Sequence, residues 1–581
     1  MKKKWQIAPE ISDEIIKKYP EHNRVILQLL FNRGLNSGEE MEEFLNDGYE
    51  KLHDPAEFND MAAAVPLIIR HIKEKNKILV YGDYDADGVT ASAVMTETLN
   101  TLKADTGVYI PFRTTEGYGL NKGALEEAKN NGVKLVITVD TGIRNAAEVR
   151  YAKELGLDVI VTDHHSAPEE KKAWPDCLII NANLPEEKYP FKSLAGVGTA
   201  FKLASAVIAA SSLSGEDKEK LKERILDLVA IGTVTDMVIL RGENRILVKK
   251  GLEVLNKNRR VGLKELINIS QINNGRTLDS WNIGFQLGPR LNAAGRLDHA
   301  NTAYELLITR DSKEAKALAG SLNGRNIERQ MITEKITEEI IADLEVDSDR
   351  ASKKIIIAVA DKGIEKEAWN EGVVGLIAGR IAERYYLPAL VITVGQGGEW
   401  KGSGRSIEEF NLIHAVERCS QYLDKYGGHP AACGFSFKKE NLEGFKKMME
   451  AIAESELGKL NLRPKIKVDA EIDLSEINEE FIKELEKFAP FGAGNEKPKF
   501  VSKGITVMDI MRMGADNQHL KLRLKSENSG LINAIGFGQA AERKDLRIGD
   551  KINLVYYPEI NEYNGRREAQ LKIIDIKSRN S

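Results

Sequence analysis

The chain has little cysteine: three residues in 581, Cys177, Cys419 and Cys433, with no CxxC spacing. That excludes a disulfide-stapled scaffold and a thiolate zinc site, and it makes the cytoplasm the expected compartment. Long apolar runs are also missing, so no membrane span is expected. The opening residues, MKKKWQIAPE, carry the basic charge of a signal peptide without an apolar stretch behind it. Excess positive charge is absent as well. With a net charge of -5 the chain as a whole does not attract polyanions. Any anionic polymer must be drawn by local basic clusters or bound cations, acting over a Debye length of about 10 Å.

What is present is length and alternation. A chain of 581 residues exceeds one hydrophobic core and predicts several domains. Residues 1–50 read as a helical lead-in of short amphipathic pieces, IIKKY, VILQLLFNRG and SGEEMEEFL. From 51 to 240, strands and helices alternate with short loops (KILVYG, ASAVMTETLNTL, GVYIP, GALEEAKNNG, KLVITVD, AAEVRYAKELG, DVIVTDHH, CLIIN), the pattern of a parallel sheet with helices on its faces. Residues 241–350 are helical and predict a connector. Residues 351–457 return to strand, helix and strand as a second lobe, and a cleft between two lobes suits a polymer. Residues 458–581 alternate short apolar strands with turns, and HLKLRLK places basic residues on alternate positions. The predicted fold class is α/β, with two α/β lobes carrying parallel-rich sheets, a long helical connector, and a C-terminal OB-like β-barrel.

One stretch concentrates chemistry. KILVYGDYDADGVT, Lys77 to Thr90, runs from an apolar strand into Asp83, Asp85 and Asp87. Three carboxylates within five residues repel one another unless they are solvated or neutralised by a cation. Single aspartates here would pass as helix caps or turn residues, which does not account for all three. DxDxDG also opens the EF-hand loop, but the twelfth position, which should be glutamate, is Val94, and the preceding segment is strand-like. Two further strands end alike: KLVITV meets Asp140, and DVIVT meets Asp163, His164 and His165. Ligands of such sheets sit beyond the carboxyl ends of the strands, so these groups are expected to converge. Asp236, in the apolar segment LDLVAIGTVTDMV, is a fourth contributor. A set of aspartate oxygens and histidine nitrogen without thiolate suits Mn2+ or Mg2+. It exceeds the needs of one ion and predicts two, about 3.5–4 Å apart, placed to assist phosphoryl transfer.

These residues resemble the DHH phosphoesterase superfamily, named for the triplet at Asp163, His164 and His165. DYDADG at 83–88, TVDTG at 138–142 and GTVTDMV at 232–238 are similar to its RecJ family of single-strand exonucleases. LGPRLNAAGRLDHA at 287–300 is similar to that family's linker motif. KGSGRS at 401–406 and GGHPAACGF at 427–435 resemble its DHHA1 domain, where Cys433 stands in place of the more usual alanine or glycine. PFGAGNEKPKF at 490–500 resembles the lead into its OB-fold. The resemblance implies that Asp83, Asp85, Asp87, Asp140, His164 and Asp236 hold two divalent ions, with Asp140 as the bridge. It further implies that His165 faces the scissile phosphate and Asp163 orients its neighbours. KGSGRS and GGHP read as flexible glycine-rich loops that put Arg405 and His429 beside backbone able to approach phosphate, and with them the resemblance implies that Arg113, Arg290, Asn292, Arg296, Ser403, Arg405 and His429 hold the substrate. Tyr556, Tyr557 and Tyr563 are candidates for base stacking in the barrel.

The implied activity is metal-dependent exonucleolytic hydrolysis of single-stranded DNA, 5′ to 3′, releasing 5′-mononucleotides in DNA repair and recombination. The implied partners of a monomeric enzyme are single-strand-binding protein and recombinational repair factors. Two other readings stay open: a phosphodiesterase of dinucleotides or short oligonucleotides, and a DNA-binding scaffold with a decayed nuclease core.

Overall fold

Five parallel strands build the first sheet, in the order Thr106–Tyr109, Lys77–Tyr81, Val133–Val139, Asp158–Thr162 and Leu178–Ile180. The computed structural model describes residues 3–113, 115–257, 259–272, 277–346, 352–360, 368–395, 398–563 and 566–578. The continuous apolar runs of the strands follow from coverage on both faces. Ile78, Val80, Leu135 and Ile137 pack toward the helices Ala86–Thr101 and Gly196–Ala210, whereas Leu79, Tyr81, Val136 and Val159 pack toward Lys122–Asn130 and Ala146–Glu154. The helix Ala86–Thr101 is buried nearly all round, as an interior helix must be. Strand order reverses between Lys77–Tyr81 and Val133–Val139. A crevice opens at such a switch point, and this is where Asp83 and Asp140 leave the sheet.

The connector ends in a 35-residue helix, Ser312–Val346, about 50 Å long at 1.5 Å per residue. Ala319 and Leu322 belong to the first lobe's core, and Ile336 and Ile340 to the second's. One rigid rod therefore sets the width of the cleft. The second sheet has the order Lys425–His429, Ala432–Phe437, Trp400–Arg405, Ala389–Val394, Ile356–Val359. Only its last pair, joined through the helix Val374–Tyr385, is parallel. The other pairs are antiparallel, and short links join two of them, Ala389–Val394 to Trp400–Arg405 and Lys425–His429 to Ala432–Phe437. This lobe is therefore mixed, and its parallel pairing is narrower than the sequence pattern predicts. KGSGRS and GGHP, expected as loops, are strands. A Cβ on Gly402 would lie 2.4 Å from the Phe435 ring, so glycine serves close packing there.

The C-terminal strands close on themselves. Phe500–Met513 pairs with His519–Lys525 on one side and with Lys551–Tyr563 on the other. Arg566–Ser578 completes the circuit, antiparallel to Lys551–Tyr563 and parallel to Ile532–Gly536, which pairs with His519–Lys525. The result is a five-stranded OB-like barrel. The lead-in forms the three expected helices, Asp13–Lys18, Arg24–Asn32 and Gly38–Leu45, and adds one strand the sequence reading did not give, Lys4–Ile7, lying parallel to Lys465–Val468. Val25, Leu27, Leu30 and Met41 share one core with barrel residues Val507, Leu522 and Leu554. Among the described residues, no helix is long and apolar enough to cross a membrane.

Candidate metal centre and phosphate cleft

Strand register does the first part of the assembly. Tyr81 is aligned with Thr138, and Thr138 with Val161. Asp83, Asp140 and Asp163, each two residues further on, therefore emerge side by side at the crevice. Asp85 caps the helix Ala86–Thr101, its Oδ1 accepting from the amides of Asp87 at 2.9 Å and Gly88 at 3.1 Å. Asp87, in the first helical turn, points inward. Its carboxylate accepts from Gly196 N at 2.7 Å and Val197 N at 2.9 Å, at the start of the helix Gly196–Ala210. Asp236 follows the last residue of the helix Gly215–Thr235. Small residues make the close approach possible: a Cβ on Gly196 would lie 2.3 Å from Asp140 Oδ1, and one on Gly232 would lie 2.7 Å from Asp87 Oδ1.

The side chains meet in three overlapping groups, in each of which the ligand atoms lie within 4.8 Å of one another: Asp83, Asp85 and Asp140; Asp87, His164 and Asp236; and Asp140, His164 and His165. His164 Nε2 is 3.2 Å from Asp140 Oδ1 and 3.6 Å from Asp236 Oδ2. Asp140 and His164 thus join what would otherwise be two separate sites. Asp83 Oδ1, Asp140 Oδ1 and His164 Nε2 are buried without a hydrogen-bond partner among the described residues. Buried polar atoms in that state are costly unless a cation or proton meets them. Burial, followed by repulsion from neighbouring aspartates, lifts the Asp87 carboxyl to about 7 and that of Asp236 to about 9. The same causes raise Asp83 and Asp140 well above the ordinary range. Burial, then the neighbouring His165, lowers His164 to about 4, so its imidazole is neutral and able to ligate. Hard oxygen donors with one imidazole fit divalent cations such as Mn2+ or Mg2+.

Asp163 is built differently, and no oxygen of it is left over. Its Oδ1 accepts from His164 N at 2.7 Å and His165 N at 3.1 Å and pairs with His165 Nδ1 at 2.8 Å, while Oδ2 accepts from Ile143 N at 3.0 Å. Burial alone would raise this carboxyl, but the hydrogen bond and charge of His165 and the Ile143 amide outweigh it and hold it low. Asp163 therefore orients His165. Burial opposes protonation of His165, yet the bond to Asp163 and the surrounding carboxylates raise its pKa. Tyr118 Oη lies 3.1 Å from His165 Nδ1 and donates to the Asp140 carbonyl at 3.2 Å.

Across the cleft the charge changes sign. Arg113 acts on Asp83 and is repelled by Arg296 and Arg405, which places it between the acidic cluster and the second lobe. Burial, then Arg113 and Arg329, lowers Arg296 to about 10. Arg296 donates to Gly372 O at 3.1 Å, just before the helix Val374–Tyr385. Ser403 and Arg405 flank the same helix start, where a Cβ on Gly375 would lie 3.0 Å from Ser403 Oγ and 3.3 Å from the Arg405 guanidinium. A helix N-terminus beside a hydroxyl and several mutually repelling guanidiniums is an arrangement that an anion stabilises.

The three domains match known families: the DHH family, N-terminal domain, over residues 77–233, the DHHA1 domain over 352–455, and the RecJ OB domain over 468–575. The chain is 38% identical over 579 residues to the single-stranded-DNA-specific exonuclease RecJ of Bacillus subtilis, covering 99% of this chain and 71% of that one. The chain belongs to the RecJ family. The RecJ of Salmonella typhimurium is 33% identical, with 99% of this chain and 100% of that protein covered. The crystal structure of RecJ from Thermus thermophilus in complex with Mn2+ superimposes with a TM-score of 0.81 at 27% identity, over 99% of this chain and 79% of that one.

In this RecJ-family chain the structure brings together all six predicted ligands, Asp83, Asp85, Asp87, Asp140, His164 and Asp236, with His165 beside them. Arg113, Arg296, Ser403 and Arg405 gather at the helix start. His429 is exposed two strands away, aligned with Ala432, which is aligned with Arg405. Asn292 and Arg290 are both bonded within the protein. Asn292 Oδ1 accepts from Ala86 N at 2.8 Å and so steadies the acidic helix start, and Arg290 donates to Asn323 Oδ1 at 3.0 Å and Gln286 O at 2.8 Å. Tyr556 is not a stacking residue, being fully buried with its hydroxyl 2.8 Å from Ser502 Oγ. Tyr557 is partly exposed, and the Tyr563 side chain lies outside the described residues. Sequence reading missed Arg329, whose Nε is buried without a partner among the described residues and which repels Arg290 and Arg380. RNIERQ shows only a polar helix turn, and no local signal singles this arginine out.

Proposed function

We propose that this RecJ-family chain is a metal-dependent exonuclease that hydrolyses single-stranded DNA from the 5′ end and releases 5′-mononucleotides. The observation that carries the reading is the cluster of buried carboxylates with unmet oxygens at a sheet switch point, faced by arginines across a two-lobed cleft. Asp83, Asp85 and Asp140 would hold one cation and Asp87, His164 and Asp236 the other, with Asp140 linked to the second group through His164. Two such cations supply Lewis acidity that activates water and offsets charge developing on a phosphodiester. His165, with Nδ1 committed to Asp163, presents Nε2 to the phosphate and holds a proton there. Arg113, Arg296, Ser403, Arg405 and the amides before the helix Val374–Tyr385 take the terminal phosphate, with Arg290, Asn292 and His429 at the border of the site. That grip on an end, beyond the cations, is what makes cleavage exonucleolytic. We place the enzyme in the cytoplasm as a monomer. By family likeness, single-strand-binding protein and recombinational repair factors are its partners in DNA repair and recombination.

The test uses single strands of about 30 nucleotides labelled at either end, with and without a 5′ phosphate, incubated with the purified protein and Mn2+. A 5′ label should appear at once in mononucleotides while a 3′ label stays in long, shortening strands. Arg405→Ala should raise KM for 5′-phosphorylated strands on the order of tenfold to a hundredfold, the value of a hydrogen bond to a charged group. Early release of the 3′ label would refute the polarity. Cleavage of trinucleotides but not of long strands would instead favour the oligonucleotide phosphodiesterase.

A further inference from the structure

The acidic cluster is not the end of the cleft. Trp281 and Phe285, one helical turn apart, are stacked with ring centroids 5.5 Å apart and planes at 23°, yet they are 55% and 68% exposed. Exposed stacked aromatics of this size are unusual unless something covers them. The turn that carries Phe285, Ile283–Leu287, is a wider π-type helix, a local distortion often found at functional positions. It lies directly against the metal-site helix: a Cβ on Gly288 would sit 2.4 Å from Thr235 Cγ2, and one on Gly284 would sit 3.6 Å from Val234 Cγ1. Asp236 is the residue after that helix, followed by Met237, which is 76% exposed.

On its other side the turn that carries Trp281 is tied to the segment that leads into the barrel. Ser280 Oγ donates to Phe491 O at 2.5 Å, and after Asp236 the chain is tied to the same segment by Leu240 N to Ala493 O at 2.8 Å and Arg241 Nε to Gly494 O at 2.7 Å. A few residues further on, Lys497 sits over the Tyr557 ring at 4.3 Å. Lys572 lies 5.6 Å from the same ring and 5.8 Å from that of Phe537, which is itself 56% exposed. Aromatics beside lysines thus line this part of the barrel, and the turn with Trp281 and Phe285 lies between the segment that leads into the barrel and the helix that ends before Asp236. Flat rings beside cations match the two faces of a nucleic-acid strand, the bases and the phosphates.

We propose that Trp281 and Phe285 form a base-stacking platform that holds the single strand between the barrel and the metal centre, fixing how far the strand extends when its terminal phosphodiester is cut. The proposal rests on the nuclease reading for its substrate class, but its test does not need hydrolysis. Of the five tryptophans, Trp281 is the exposed one, so its emission reports directly on stacking. The protein is titrated with an oligothymidylate of about 20 nucleotides in EDTA at low salt. Wild-type emission should fall, and Trp281→Phe should lose most of that fall while binding with affinity within about twofold by anisotropy of a labelled strand. The double variant Trp281→Ala, Phe285→Ala should bind about tenfold or more weakly. With Mn2+, its loss in kcat/KM should lie in KM and be larger for a long strand than for a trinucleotide. A fall in emission equal in wild type and Trp281→Phe, or double-variant binding at wild-type strength, would overturn the platform even if the enzyme cuts DNA. Loss of the fall in Trp281→Phe in a protein that cuts nothing would support the platform and refute the nuclease reading.

Discussion

Asp140→Asn should reduce hydrolysis of single-stranded DNA on the order of a thousandfold or more while leaving the fold and strand binding in place. The size follows from position. Asp140 shares groups with Asp83 and Asp85 on one side and with His164 on the other, and its Oδ1 has no hydrogen-bond partner among the described residues. Loss of a shared ligand removes several kcal/mol of transition-state stabilisation, and each 1.36 kcal/mol is a factor of about ten. The fold is spared because the carboxylate makes no structural bond that the amide would break. The substitution should even stabilise the metal-free protein slightly, since Asp83, Asp85, Asp87 and Asp236 all repel Asp140. Steady-state kinetics, a melting curve and strand anisotropy on the one variant check all three statements. Activity near wild type would remove Asp140 from the centre, and a collapsed melting temperature would make it a structural residue.

The second large effect is a coupling of cations, protons and stability. Asp83, Asp87, Asp140 and Asp236 have folded pKa values above the ordinary aspartate range. The metal-free folded state therefore binds more protons than the unfolded chain, and stability falls as pH rises. The contribution is fully present below pH ~4, where both states are protonated, and is lost as pH passes the folded values, about 7 for Asp87 and about 9 for Asp236. Cations that hold these carboxylates ionised remove the penalty. The melting temperature in Mn2+ should exceed that in EDTA by several degrees at pH 8, from about 2.7 kcal/mol at a hundredfold excess over Kd. The gap should shrink toward pH 5, and Mn2+ binding at pH 7 should release protons. Melting curves that coincide in Mn2+ and EDTA at pH 8 would contradict the coupling.

Much of the centre is legible because it is written at strand ends. Asp83, Asp140 and Asp163 each follow an apolar run that can only be a buried strand, and parallel register does the rest. What escapes is carried by packing between distant segments. Nothing near Asp87 announces that Gly196 and Val197 will donate to it, and nothing near Asn292 marks it as the acceptor for Ala86 N. Arg329 is hidden for the same reason, on a helix whose cleft-facing side is decided by the partner lobe. KGSGRS reads as a flexible loop because glycine is usually that, whereas here Gly402 and Gly404 admit Phe435 and Leu390 across a sheet. Tyr556 and Tyr557 are neighbours on one strand, and alternation sends the first into the barrel core and leaves the second beside Lys497.

The most direct measurement is anomalous diffraction at the manganese edge from crystals of this protein grown with Mn2+. Two peaks should appear on either side of Asp140, one against Asp83 and Asp85 and the other against Asp87, His164 and Asp236. A crystal saturated with Mn2+ that shows no peak within ligand distance of Asp140 would contradict the account.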